Sequence, residues 1–206
     1  TGAAMVEATA EAWLADMAEA MEIGRRLGQR VVVIGTSTGG TLAAIAATDP
    51  ALNAGLAGTV LISPNFGVQG VAQTLLDAPL AEHWAALVAG STRSFAPINA
   101  EQAQHWTTEY PTRALFPMAR LIRAAREADY AAATTPALFL YSPADQVIDP
   151  ARIPPVIAAW GGPAQVEQRE MQGDDDPYSH VIAGDILSPG QTEPVIAIIT
   201  EWARGL

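Results

Sequence analysis

Residues 31–40 have the sequence VVVIGTSTGG, in which an apolar run leads directly into a glycine-rich turn. The first four residues are all β-branched, and such a run is typical of a strand buried on both faces of a parallel sheet. The small residues that follow, from Thr41 to about Thr48, predict a helix. A strand, the motif Gly35-x-Ser37-x-Gly39 and a helix, in that order, are typical of the turn that exposes a nucleophilic serine.

The residues around Ser37 suit this interpretation. A serine on so sharp a turn has a strained backbone, so Gly35 and Gly39 are expected to leave it room. The same turn directs the N–H of Thr38 toward a developing oxyanion. A phosphate-binding loop is the alternative for a glycine-rich turn, but that loop needs a lysine, and the chain contains none. We therefore interpret Ser37 as the nucleophile and the Thr38 N–H as an oxyanion donor.

A serine nucleophile needs a general base, and the chain has three histidines. His83 and His105 lie in helical segments, where surface or packing roles are the usual ones. His180 follows the last predicted strand and precedes the last helix, and loops at that place in a parallel sheet present groups to a site. We therefore expect His180 to be the base.

The base in turn needs an orienting carboxylate. Asp145 lies just beyond the predicted strand at 137–141. Asp149 is the alternative, but Asp149-Pro150 is typical of a turn that starts a short helix. We therefore expect Asp145 to be the acid, and the chain order Ser37, Asp145, His180 is that of α/β-hydrolases.

Composition limits the cofactors and partners. The net charge of −11 opposes nucleic-acid binding, and the absence of cysteine excludes disulfides and thiolate nucleophiles. No apolar run approaches the roughly 20 residues of a membrane span. Residues 174–176 are three aspartates without the spacing of a calcium loop, so they predict a solvated turn. We expect no metal and no organic cofactor.

Strands that alternate with helices predict a parallel α/β sheet. One insertion, at about 66–136, is mostly helical, rich in aromatic residues and too long for a plain connection, so we interpret it as a cap or lid. The predicted elements are a helix at about 4–27 ended by Gly28, strands at 31–34, 59–62, 137–141 and about 164–171, and a last helix with Thr192 as its N-cap.

Three segments carry a family resemblance. Residues 33–40 (VIGTSTGG), 142–148 (SPADQVI) and 179–185 (SHVIAGD) resemble the capped α/β-hydrolases of the carboxylesterase, monoacylglycerol-lipase and serine-aminopeptidase kind. The resemblance extends from about residue 10 to the end. It implies that residues 1–206 form a single catalytic domain, with a mostly parallel sheet flanked by helices and a helical cap inserted between strands.

The chain departs from the family at its start. The resemblance implies eight strands with the serine turn after the fifth, whereas one helix precedes the turn here. The N-terminal strands are missing from this sequence, together with the loop that gives the second oxyanion N–H. We expect an upstream segment of roughly 70–100 residues, or a homo-oligomer in which a second copy covers the edge of strand 31–34. Because the native N-terminus is not visible, the compartment is unknown, with a soluble cytoplasmic protein slightly favoured.

The resemblance implies hydrolysis of a small apolar ester or acyl substrate through an acyl-enzyme. Two alternatives stay open at this point. A peptidase of the same fold would need a carboxylate near the site to hold a free amine, for which Glu82, Glu101 and Glu109 are candidates. A non-catalytic relative that binds a ligand is the second alternative, although such proteins typically lose a triad member.

Overall fold

The structure is a computed structural model that describes residues 2–206. A 3-10 helix at Gly2–Glu7 precedes the first α-helix. The helices are α1 (Ala10–Leu27), α2 (Thr38–Thr48), α3 (Val71–Asp77), α4 (Ala81–Ala89), α5 (Ala100–His105), α6 (Leu115–Glu127), α7 (Ile153–Ala159) and α8 (Pro189–Arg204). The strands are β1 (Val31–Thr36), β2 (Leu56–Ile62), β3 (Thr92–Ser94), β4 (Glu109–Pro111), β5 (Ala137–Tyr141) and β6 (Ala164–Gln168).

The main sheet has four strands in the order β1-β2-β5-β6. All three pairings are parallel, and helices connect the strands. The four strands predicted from the sequence correspond to these four, with ends that differ by up to three residues. The predicted mostly parallel α/β sheet flanked by helices is therefore confirmed.

The central strand β5 separates two layers of the core. All five of its residues are buried. Phe139 faces a cluster that includes Tyr130 and Trp160, and its ring meets that of Trp160 edge to face at 5.5 Å. Leu138 and Leu140 face the opposite cluster with Val195 of α8. This alternation follows from the two-residue period of a strand, and it lets helices pack against both faces of the sheet.

The first helix begins later than its hydrophobic pattern suggests. Thr9 is the N-cap, and its side chain accepts a hydrogen bond from the Ala12 N–H at 3.0 Å. This cap separates α1 from the 3-10 helix before it, so the predicted helix at 4–27 is two elements. Met21 is buried and Met17 packs against the same cluster, as their spacing of one helical turn requires.

Strand β1 does not have the burial that its sequence suggests. It forms one edge of the sheet, and among residues 2–206 only β2 pairs with it. Its side chains are mostly half-buried, and Ile34 is 56% exposed. The prediction of a strand buried on both faces is therefore wrong for residues 2–206, because the side chains of an edge strand are flanked by those of only one neighbouring strand.

The insertion at 66–136 contains helices α3 to α6 and an antiparallel pair, β3 with β4, that the sequence did not predict. Helix α6 packs on α2 and so belongs to the core layers. Asp77 at the end of α3 pairs with Arg126 of α6 at 2.9 Å. Partial burial raises the pKa of Asp77, but hydrogen bonds from Arg126 and Gln73 outweigh it and leave the pKa below its ordinary value.

The last helix also starts elsewhere than predicted. Its N-cap is Ser188 and its first residue is Pro189, so the prediction of Thr192 as N-cap is wrong. Proline is favoured at the first helical position because its fixed φ suits the helix and its missing N–H is not needed there. None of the helices described at 2–206 is long and apolar enough to span a bilayer.

Candidate active site

Three side chains meet at the carboxyl edge of the sheet. Ser37 follows β1, Asp145 follows β5, and His180 lies in the loop between β6 and α8. His180 Nε2 lies 3.1 Å from Ser37 Oγ, and His180 Nδ1 lies 2.8 Å from Asp145 Oδ2. Because the carboxyl ends of parallel strands lie at one edge, residues far apart in sequence form a continuous hydrogen-bonded chain.

Ser37 has the strained backbone that its turn requires. Its φ is +52° and its ψ is −118°, outside the regions that ordinary residues adopt. Its N–H donates to the Ile62 carbonyl at 2.9 Å, and its carbonyl accepts from the N–H groups of Thr41 and Asn65, each at 3.1 Å. These bonds anchor the turn to β2 and α2, and they present the Ser37 hydroxyl to His180.

The glycines around the turn differ in their steric role. A Cβ at Gly35 would collide with the Gly39 carbonyl, and one at Gly40 would meet Pro64 at 3.0 Å. Apart from its chain neighbours and the backbone of its own helix, a Cβ at Gly39 would meet no atom of the described residues within 4 Å. The expectation that Gly39 provides room at the turn is therefore wrong for residues 2–206, whereas the turn does require Gly35.

Gly35→Ala is expected to destabilise the protein by about 1–3 kcal/mol, because an extra methyl must displace packed backbone. In a chain of this size, each kcal/mol lowers Tm by roughly 2–4 °C. Gly39→Ala is the matched control and should keep Tm unchanged or raise it slightly, because alanine is the better helix former. Thermal unfolding of both variants tests this difference. Equal loss of stability would contradict the steric account.

Asp145 is held rigidly by its own loop. It is 2% exposed. Its Oδ1 accepts hydrogen bonds from the N–H groups of Val147 and Ile148, at 2.8 and 3.0 Å, which leaves Oδ2 for the His180 ring. Asp149 instead caps the following 3-10 helix through the Ala151 N–H. Of the two acids weighed from the sequence, Asp145 is the one that contacts the imidazole.

The other histidines do not share this environment. The side chain of His180 is 12% exposed and lies in the network with Ser37 and Asp145. His83 on α4 and His105 at the end of α5 are both exposed. Their surface positions agree with the roles expected for histidines in helical segments.

The aspartate run before His180 is not the solvated turn that the sequence predicted. Asp174 is exposed, but Asp175 and Asp176 are buried. Each buried carboxylate accepts hydrogen bonds from backbone N–H groups, which offsets the loss of water. The tendency of aspartate to accept the N–H two residues on is the sequence signal that could have indicated this role.

The backbone near Ser37 also offers a donor for developing negative charge. Thr38 is the first residue of α2, so its N–H has no acceptor within the helix. The helix dipole places partial positive charge at the same end. Within residues 2–206, histidine and acidic side chains form no cluster of three or more with the arrangement of a metal site.

An apolar cleft of about 520 Å³ opens beside His180. Its lining comes from the 66–136 insertion and from the loops that carry Asp145 and His180. The large apolar side chains in its lining are Phe95, Ile98, Trp106, Tyr110, Val147, Tyr178, Val181 and Leu187. Several of them are exposed at its mouth, so the cleft offers an apolar surface that a ligand could cover.

Comparisons with known proteins agree with the α/β fold of the chain. The sequence model of the family described as "Serine aminopeptidase, S33" matches residues 2–164. A metagenome-derived lipolytic enzyme, from a study of LipS and LipT, has the same fold with a TM-score of 0.71 and 20% identity; the match covers 98% of this chain and 77% of that one. A monoacylglycerol lipase from Paleococcus ferrophilus gives a TM-score of 0.66 at 17% identity, covering 95% and 75%.

A third solved structure, a monoglyceride lipase from Saccharomyces cerevisiae, gives a TM-score of 0.62 at 11% identity and covers 93% of this chain and 67% of that one. No curated protein sequence matches the chain. At these identities the structural matches show the fold, while the family match spans most of the sequence. The chain therefore belongs to the serine aminopeptidase S33 family of α/β-hydrolases.

Proposed function

We propose that the chain hydrolyses carboxylic esters with an apolar acyl chain, through an acyl-enzyme on Ser37. The observation that carries the proposal is the continuous contact from Ser37 Oγ to His180 and on to Asp145, at 3.1 and 2.8 Å. Nucleophile, base and orienting acid in this arrangement are the recurring constellation of serine hydrolases on unrelated folds.

In the first half-reaction, Ser37 Oγ attacks the ester carbonyl carbon while His180 Nε2 takes its proton. The carbonyl oxygen becomes an oxyanion that accepts a hydrogen bond from the Thr38 N–H. The tetrahedral intermediate then expels the alkoxide, which receives the proton from His180, and the acyl group stays on Ser37. Asp145 holds Nδ1–H toward itself, so Nε2 is the nitrogen free to accept.

In the second half-reaction, water attacks the acyl carbon and gives its proton to His180 Nε2. The second tetrahedral intermediate collapses, the acid leaves, and His180 returns the proton to Ser37. Every proton moves between the substrate, water, Ser37 and His180, so this scheme needs no redox or metal partner.

The cleft beside His180 supports an apolar acyl group as the substrate's main feature. Phe95, Ile98 and Trp106 from the insertion line it together with Val147 and Tyr178. Burying each methylene of an acyl chain there is worth about 0.8 kcal/mol. We therefore propose that the whole 66–136 segment acts as a cap and forms the site for the acyl chain.

The peptidase alternative has less support from the charged groups. An aminopeptidase needs a free carboxylate to hold the substrate amine. Glu82 pairs with Arg120 at 2.7 Å, and Glu101 and Glu109 are exposed and do not line the cleft. Among residues 2–206, Asp176 is the only acid that lines the cleft, and its oxygens accept hydrogen bonds from backbone N–H groups. We therefore favour esters over aminoacyl substrates.

Octanoyl nitrophenyl ester is expected to be cleaved with a kcat/KM at least about tenfold above that of the acetyl ester, since two buried methylenes already give a tenfold difference. Alanyl nitroanilide should be cleaved more slowly than either ester. Initial rates on the three substrates measure this order. A clear preference for the anilide would indicate a peptidase.

Trp106→Ala should lower the octanoyl-to-acetyl ratio by removing part of the cleft wall, with little effect on the acetyl ester. Leu87→Ala is the matched control, because Leu87 is an exposed apolar residue of α4 that does not line the cleft. If both variants leave the ratio unchanged, the acyl chain binds elsewhere.

A further inference from the structure

The backbone of His180 is held from both sides. Its N–H donates to Asp176 Oδ2 at 3.0 Å, and its carbonyl accepts a hydrogen bond from Ser63 Oγ at 2.7 Å. Neither Asp176 nor Ser63 takes part in the proposed reaction steps. Both are nevertheless buried beside the base, at 2% and 0% exposure.

Asp176 makes three hydrogen bonds to the turn that carries His180. Its Oδ1 accepts the N–H of Tyr178 at 3.1 Å, and its Oδ2 also accepts the N–H of Val181 at 2.8 Å. Its own N–H donates to Ser188 Oγ at 3.1 Å, just before α8. A buried carboxylate with these partners is a stronger acceptor than a neutral group, because bonds to charged acceptors are roughly twice as strong.

The turn needs such support because its backbone is strained. Ser179, directly before His180, has φ of +54°, and Ser63 has φ of +42°. Ser37 is a third serine at positive φ, so three of the four non-glycine residues with positive φ at 2–206 lie in this network. Conformations of this kind persist only where surrounding bonds impose them. At His180 those bonds come from Asp176 and Ser63.

We infer that Asp176 is a positioning residue which, together with Ser63, fixes the backbone of His180 so that its ring reaches Ser37 and Asp145 at once. This rests on the proposed function, in which His180 is the base. A displacement of about 1 Å at such a group can cost on the order of 100-fold in rate. Asp176 therefore acts on the rate through His180 without touching the substrate's reacting atoms.

The neighbouring acids provide matched controls. Asp175 is also buried, but its oxygens accept hydrogen bonds from the N–H of Gln172 and, at the start of α8, from the Gly190 N–H and the Gln191 side chain. Asp174 is exposed. Replacing each of these by asparagine removes the same charge within two residues of Asp176, while the bonds to the His180 turn remain.

Asp176→Ala is expected to lower kcat for ester hydrolysis about 100-fold, with KM within about threefold. Asp176→Asn keeps one acceptor oxygen, so its kcat should be about tenfold below that of the wild type. The kcat of Ser63→Ala should lie between those of Asp176→Asn and the wild type. Asp175→Asn should lower Tm yet keep kcat within about threefold, and Asp174→Asn should change neither. The positioning role is wrong if the loss of activity in both Asp176→Ala and Asp175→Asn equals the loss of folded protein in that variant.

A second readout does not depend on turnover. In proton NMR, the His180 ring N–H that faces Asp145 should give a low-field signal in the wild type, Asp174→Asn and Asp175→Asn, and should lose it to solvent exchange in folded Asp176→Ala. A folded Asp176→Ala protein that keeps this signal and full kcat would overturn the inference. A wild-type protein with the signal but without esterase activity would contradict the proposed function and leave the positioning role supported.

Discussion

Replacement of Ser37 by alanine is expected to lower kcat/KM for ester hydrolysis by on the order of 10⁴-fold or more. The Ser37 hydroxyl carries all covalent chemistry in the proposed reaction, so the variant retains only the effects of substrate binding and of the Thr38 N–H. The turn itself should persist, because its anchors are the backbone groups of Ser37, which alanine keeps. Steady-state rates with the octanoyl ester measure the loss.

Ser94→Ala is the matched control for Ser37→Ala, since Ser94 is an exposed serine of β3. It should be fully active, and both variants should unfold within a few degrees of the wild type. Activity of Ser37→Ala within tenfold of the wild type would mean that the nucleophile is another group.

Asp145→Asn is expected to lower kcat by about 10⁴-fold, the effect known for the corresponding change in a serine protease triad. Asparagine can keep the bonds from Val147 and Ile148 through its carbonyl oxygen, and it then directs its NH₂ group at His180 Nδ1. That arrangement favours the tautomer in which Nε2 carries the proton and cannot accept one from Ser37. The loss should therefore appear in kcat, with the fold retained.

Asp149→Asn separates the two candidate acids. Asp149 caps a short helix and pairs with Arg152 at 3.2 Å, so its replacement should affect stability by at most about 1 kcal/mol and leave kcat unchanged. The assignment is reversed if Asp149→Asn is the variant that loses activity and Asp145→Asn is the one that keeps it.

The sequence predicted the parts of the fold that have strong local patterns. The buried strand at 137–141 was predicted with its observed ends, because an alanine and four large residues, bounded by proline and serine, form an uninterrupted apolar run. The grouping of Ser37, Asp145 and His180 came from chain order and from their places after strands. The distances that join them depend on the register of three strands, which a motif does not specify.

The features that the sequence did not predict have no local sequence pattern that marks them. Strands β3 and β4 have three residues each and are mostly exposed, so no alternation of burial marks them. The burial of Asp175 and Asp176 depends on partners at 180–191, which become neighbours only when the last loop folds back. The exposed face of β1 is a consequence of its place at the sheet edge, which its valine-rich sequence does not show.

Reaction with a fluorophosphonate, followed by intact-mass measurement and peptide mapping, identifies the nucleophile without depending on the choice of substrate. If Ser37 is the nucleophile, one probe attaches per chain, at Ser37, with no labelling of Ser37→Ala and greatly slowed labelling of His180→Ala. A probe found on a different serine, or labelling that persists in Ser37→Ala, would contradict this assignment.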